Sequence, residues 1–127
     1  MTQEVLPEKM YISYYSATKG KKVLKLLNKT QLIFISSNNK IIEPSKKEWE
    51  SFWEKIEQIG IWDLEESYNR CILTDGYKWE INISFNNKII ESTGTNLDPT
   101  LYIGNKLISV LDKFLDAIYD LTEIQMD

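Results

Sequence analysis

Histidine is absent from this 127-residue chain, and cysteine occurs once, as Cys71. Without histidine the commonest general base, the commonest zinc ligand and every Ser-His or Cys-His nucleophile are excluded. A lone cysteine forms no internal disulfide and no thiolate zinc site, and an unpaired thiol suits a reducing compartment, so a cytoplasmic location is expected. Apolar runs long enough to span a bilayer are also missing, and Met1-Thr2-Gln3-Glu4 has no basic region followed by an apolar stretch. We therefore expect no membrane association. No calcium-loop spacing occurs among the acids, so neither a metal nor another cofactor is expected. Arg70 is the single arginine.

What the chain does contain is average for a globular domain, 43% hydrophobic and 27% charged. At this length it buries roughly two thirds of its unfolded surface, enough for one core without disulfides or metals. A single domain over residues 1–127 follows. Charge is unevenly placed. Residues 1–42 carry seven lysines against Glu4 and Glu8, a net of +5, and the remainder carries a net of −9. Such a dipole steers association with charged partners.

Alternation of Met10, Ile12 and Tyr14 with Tyr11, Ser13 and Tyr15 predicts a strand, followed by a turn at Lys19-Gly20. Residues 21–28 suit either a strand or one helical face, and strand is the reading adopted. Gln31 to Ser36 is apolar on both faces. After Pro44, Ser45-Lys46-Lys47-Glu48 has capping-box spacing, and Trp49, Phe52, Trp53, Ile56 and Ile59 mark the buried stripe of a helix that Gly60 stops. Ile61 to Tyr68 reads as a short edge strand and residues 69–76 as a loop. Tyr77 to Phe85 alternates cleanly, and Asn86-Asn87 supplies the two positive-φ residues of a type I′ turn. A two-residue loop pairs Ile83 with Ile90, Ile81 with Ser92 and Trp79 with Gly94. From Asp98-Pro99 a last helix is expected to run to about Leu121. The sum is an α+β domain, an antiparallel sheet of five to six strands with two helices packed on one face.

Ile35-Ser36-Ser37-Asn38-Asn39-Lys40-Ile41-Ile42-Glu43 repeats Ile83-Ser84-Phe85-Asn86-Asn87-Lys88-Ile89-Ile90-Glu91 at every position but the third. Two readings stay open: a duplicated strand-strand-helix unit, or a chance product of an Asn- and Lys-rich composition and common hairpin chemistry.

The segments Trp49-Glu50-Ser51-Phe52-Trp53, Gly60-Ile61-Trp62, Asp75-Gly76-Tyr77-Lys78-Trp79 and Gly94-Thr95-Asn96-Leu97-Asp98-Pro99 follow one another in order. Together they resemble a family of small, uncharacterised bacterial proteins with W-x-x-F-W, G-[IV]-W, D-G-x-x-W and G-x-N-x-x-P motifs, a resemblance that implies a fold and no activity. The order of elements is similar, more distantly, to emfourin-type protein inhibitors of thermolysin-like metalloproteases. Their first hairpin carries S-G-G-F-A-G where this chain has Ser16-Ala17-Thr18-Lys19-Gly20.

The four tryptophans lie on apolar stripes and belong to a core. Gly94-Thr95-Asn96 reads as a turn before a helix, with an anion cradle as the rarer alternative. If Met10, Ile12, Ile33 and Ile35 point inward, then Tyr11, Tyr15, Leu32 and Phe34 form an outward aromatic patch ringed by Lys21, Lys22 and Lys25. That patch is the expected binding surface of a non-enzymatic protein-binding module, an inhibitor or immunity-type protein whose partner is another protein or a second copy. The acidic remainder and single arginine speak against nucleic acid. The alternative is a small-ligand protein or a carboxylate-dependent enzyme using Asp75, Glu80, Glu91 and Asn96.

Overall fold

The computed structural model describes residues 5–69 and 76–127. Seven strands form one sheet: β1 (Lys9–Ser16), β2 (Gly20–Leu26), β3 (Leu32–Ile35), β4 (Lys40–Ile42), β5 (Ser67–Asn69), β6 (Tyr77–Phe85) and β7 (Lys88–Thr95). Two more, β8 (Thr100–Ile103) and β9 (Lys106–Ser109), form a separate hairpin. The helices are α1 (Lys46–Gln58) and α2 (Val110–Thr122), with a short 3-10 turn at Ile61–Asp63. The α+β class stands, and residues 20–26 are a strand. The sheet is larger than expected and is mixed. Its order is β4-β3-β2-β1-β6-β7-β5, antiparallel throughout except that β5 runs parallel to β7. The segment read as one edge strand divides into the 3-10 turn and β5, which takes the free edge of β7. Cys71 and Asp75, with most of the loop expected at 69–76, lie outside the described residues.

Helix α1 begins as its sequence requires. Ser45 Oγ accepts from the Glu48 amide at 3.2 Å, and Glu48 Oε1 accepts from the Ser45 amide at 2.9 Å. Gly60, at φ 74°, turns the chain out of the helix. Trp49, Phe52, Trp53 and Ile56 line the buried side. They meet Phe114, Leu115, Ile118 and Leu121 of α2 and one face of the sheet, made of Met10, Ile12, Leu24, Leu32, Trp79, Ile81, Ile83 and Ile90. The tail past α2 returns to this core and buries Ile124 and Met126. Lys22 Nζ and Lys19 Nζ donate to the Gln125 and Asp127 carbonyls.

Helix α2 starts eleven residues later than the Asp98-Pro99 signal suggests, with Ser109 Oγ accepting from the Asp112 amide at 3.1 Å. The intervening residues are β8 and β9, turned at Gly104 with φ 62°. Leu-Tyr-Ile and Leu-Ile flanking a Gly-Asn turn form a hairpin in preference to a helix interrupted by glycine. Gly94-Thr95-Asn96 therefore precedes no helix, and the anion cradle imagined there has no helix N-terminus to supply it.

The β6–β7 hairpin has the expected register, with Ile83 opposite Ile90, Ile81 opposite Ser92 and Trp79 opposite Gly94. Asn86 and Asn87 take φ values of 51° and 65°. The similar segment at 35–43 folds differently. There Phe34 faces Lys40, three residues off the register that the repeat would impose, and neither Asn38 nor Asn39 has positive φ. The one differing position is also placed differently. Phe85 continues its strand by stacking on Trp53, ring centroids 3.9 Å apart, whereas Ser37 is exposed and has nothing to stack on.

Trp79 is the most demanding packing position. Its indole lies on Gly94 so closely that a Cβ there would fall inside the ring, and its Nε1 donates to the Leu97 carbonyl at 3.0 Å. Trp79→Ala is expected to cost about 3–5 kcal/mol and Gly94→Ala about 1–3 kcal/mol, both read from urea denaturation. A loss below about 1 kcal/mol for Trp79→Ala would place the indole outside the core.

Candidate functional site

The face of the sheet opposite the helices carries no covering layer among the described residues, and register maps it residue by residue. Because side chains alternate, every strand that sends Ile12, Leu24 or Ile81 inward sends its neighbours outward. One row across the open face reads Lys21, Tyr15, Lys78, Thr95 from β2 to β7. The next reads Ile35, Val23, Ser13, Glu80, Thr93 from β3 to β7. The third reads Ile41, Ile33, Lys25, Tyr11, Asn82, Glu91 from β4 to β7. A fourth row holds Lys9, Ser84 and Ile89, so apolar side chains collect mainly at the β4–β3–β2 end with Ile89 on β7, tyrosines and lysines lie in the middle, and carboxylates lie toward β7.

Two of the four residues expected on this face are there. Tyr15 is 42% exposed, and Tyr11 stands half-buried four residues away on the same strand. Leu32 and Phe34 are not. Leu32 is 0% exposed, and Phe34 packs against the core. The proposed orientation of β3 is corrected by its pairing with β2. Leu32 lies opposite Leu26 and Phe34 opposite Leu24, so all four share the inner face and Ile33 and Ile35 turn outward. A strand apolar on both sides cannot choose a face by itself, and the neighbour with one wet side chooses for it. Lys22 also lies on the inner side, reaching the C-terminal tail, and leaves the ring of lysines to Lys21 and Lys25. Nor does Val5, the first described residue, lie on the open face. The Val5 carbonyl accepts from Trp53 Nε1 at 2.8 Å, on the core side.

Near its centre the open face has a depression of about 380 Å³ whose lining includes Ser13, Tyr15, Lys21, Lys78 and Glu80. Of the residues considered for ligand or carboxylate chemistry, this depression takes in Glu80, whose Oε2 accepts from the Asn82 amide at 2.5 Å. Glu91 lies beyond its rim, in the third row. Asn96 is committed elsewhere, its Oδ1 accepting from the Tyr77 amide at 2.9 Å at the Gly76 corner. Asp75 falls outside the described residues. Among the described residues no group of three acidic or thiol ligands is placed to hold a metal ion, and no helix is long and apolar enough to cross a membrane.

The β8–β9 hairpin is the feature that the helix expectation concealed. Tyr102 is 69% exposed, and Ile103, Leu107 and Leu101 are exposed beside it. The Gly104-Asn105 turn between two short apolar runs is the sequence signal for it. Asp98 ties down its base, accepting from the Tyr77 hydroxyl at 2.5 Å and from the Ser109 hydroxyl at 3.0 Å. Burial, followed by that hydrogen bond, holds the Tyr77 hydroxyl far above its ordinary value. Burial and then the Asp98 carboxylate also raise Asp112, with Asp127 and Asp116 adding to the repulsion and Lys113 opposing it.

No family model matches the chain, and no curated protein matches it.

Because Phe34 faces inward, Phe34→Ser is expected to lower the unfolding free energy read from urea melts by about 2 kcal/mol or more; an unchanged melt would return the ring to the open face. For Asp112 the sign is opposite to that of an ion-paired carboxylate. Its folded-state value is raised, so the native state holds the proton more tightly and loses stability as the pH rises through that value. Asp112→Asn should therefore match wild type at pH below the ordinary carboxylate value and gain on it as the pH rises through the raised Asp112 value, in paired urea melts.

Proposed function

We propose that this chain is a non-enzymatic protein-binding module that works through the open face of its sheet. The observation that carries this reading is the patch of Ile41, Ile33, Ile35, Val23, Tyr11 and Tyr15, uncovered among the described residues, with Lys25 within it and Lys21 at its edge. Apolar and aromatic side chains held rigidly on a sheet face, with charge at the rim, have the make-up of a recognition surface. Tyrosine suits such a place because it adds contact area at little entropic cost and keeps a polar end for water or a partner. The contact set proposed from the structure keeps Tyr11 and Tyr15 and replaces Leu32 and Phe34 with Ile33 and Ile35. The chain then acts by covering a surface, either on another protein, as an inhibitor or immunity partner does, or on a second copy of itself. A cytoplasmic setting agrees with the unpaired Cys71.

The experiment is affinity capture from an extract of the source cell, comparing wild type with Tyr15→Ser/Ile41→Ser. Both side chains are exposed, so the double variant should melt within about 0.5 kcal/mol of wild type per site while losing the captured protein. Retention of the same partners at wild-type yield would remove the open face from the interaction.

A further inference from the structure

We propose that the open face binds a second copy of this chain, in a twofold dimer whose axis runs parallel to the strands between β1 and β6. This rests on the reading of that face as a protein contact surface and names its occupant. Two sheets packed face to face lie about 10 Å apart with their strands nearly aligned. An axis in that position superposes β1 of one copy on β6 of the other, and β2 on β7, and keeps each row on itself.

Across β2 to β7 the rows then meet strand on strand, with β3 over the partner's β5 and Ile41 of β4 beyond the edge of the partner's sheet. Lys25 of one copy lies over Glu91 of its partner, and neither has an ion-pair partner within its own chain among the described residues. Tyr15 lies over Lys78, where the ammonium can rest on the ring face. Val23 lies over the Thr93 methyl. Ser13 lies over Glu80. Ser13 lines the central depression, and its hydroxyl can donate to the carboxylate arriving from above. Twofold symmetry makes each contact twice.

The competing twofold, in the plane of the sheets but across the strands, exchanges the first row with the third. It brings Lys21 over Lys25 and Thr95 over Glu91, setting like charge on like charge and leaving Glu91 without a cation. Charge placement therefore selects the axis as well as the occupant. Opposite-sign groups at β2 and β7, either side of the central pair, are what an isologous interface needs to be self-complementary.

Sedimentation equilibrium tests the proposal with three proteins and one mixture. Wild type should have the mass of two chains. Lys25→Glu and Glu91→Lys each set like charges together twice, and each should weaken the dimer about tenfold or more while its circular dichroism stays that of wild type. Mixing the two variants pairs Glu at position 25 with Lys at position 91 in one contact and keeps Lys25 with Glu91 in the other, so the mixture should associate as wild type does. A wild type of one-chain mass overturns the dimer, and the contact reading then stands or falls on the capture experiment alone. A wild-type dimer that both variants leave intact, or that the mixture fails to restore, also overturns it and transfers the self-contact to another surface such as the β8–β9 hairpin.

Discussion

The missing side chain of Gly94 is the constraint on which the C-terminal half of the molecule depends. It lets the Trp79 indole lie flat on β7 and extend far enough for its Nε1 to bond the Leu97 carbonyl. That bond draws in the corner after β7, where Asn96 closes on the Tyr77 amide and Asp98 receives the Tyr77 and Ser109 hydroxyls. The Val110 amide then bonds the Pro99 carbonyl at 2.8 Å, which starts α2 where its apolar stripe meets α1. A single close approach thus joins the sheet, the hairpin and the second helix, and a methyl group at position 94 would act on all three.

The two faces of the sheet divide the work. Aromatic stacking of Trp49, Trp53, Trp62 and Phe85 consolidates the helix side, and the uncovered side is left with aromatic, aliphatic and charged groups that add little to stability. Strand β6 serves both, since Trp79, Ile81 and Ile83 are core while Lys78, Glu80 and Asn82 belong to the open face. Open-face side chains on a strand whose other side is locked in a tryptophan-rich core are held rigidly, which would limit the entropy lost in the proposed contact.

Much of this was legible in the residues. The capping box at Ser45, the αL position at Gly60, the Asn86-Asn87 turn and the Trp79–Gly94 pairing all follow from local chemistry, because each satisfies its requirements within a few residues or across one tight turn. Tyr11 and Tyr15 could be placed because their strand has a clear inner set in Met10 and Ile12. Leu32 and Phe34 could not, because β3 is apolar on both sides and its orientation comes from β2. The last helix was misplaced for a related reason. Asp98-Pro99 is a sound helix start taken alone, yet both residues are used for the hairpin base, by contacts from Tyr77 and Val110 that lie twelve or more residues away or follow from the hairpin itself.

The sequence by itself determined the class of the domain, its two amphipathic helices, the β6–β7 hairpin to the residue, and the absence of histidine-dependent chemistry, since periodicity, turn residues and composition are local or additive properties. Tertiary structure alone decided the seven-strand order, the parallel β5 and the identity of the open face. Each of these depends on which edge or side a segment finds free when it arrives, and near-identical stretches such as 35–43 and 83–91 diverge, one of them having a tryptophan to stack upon.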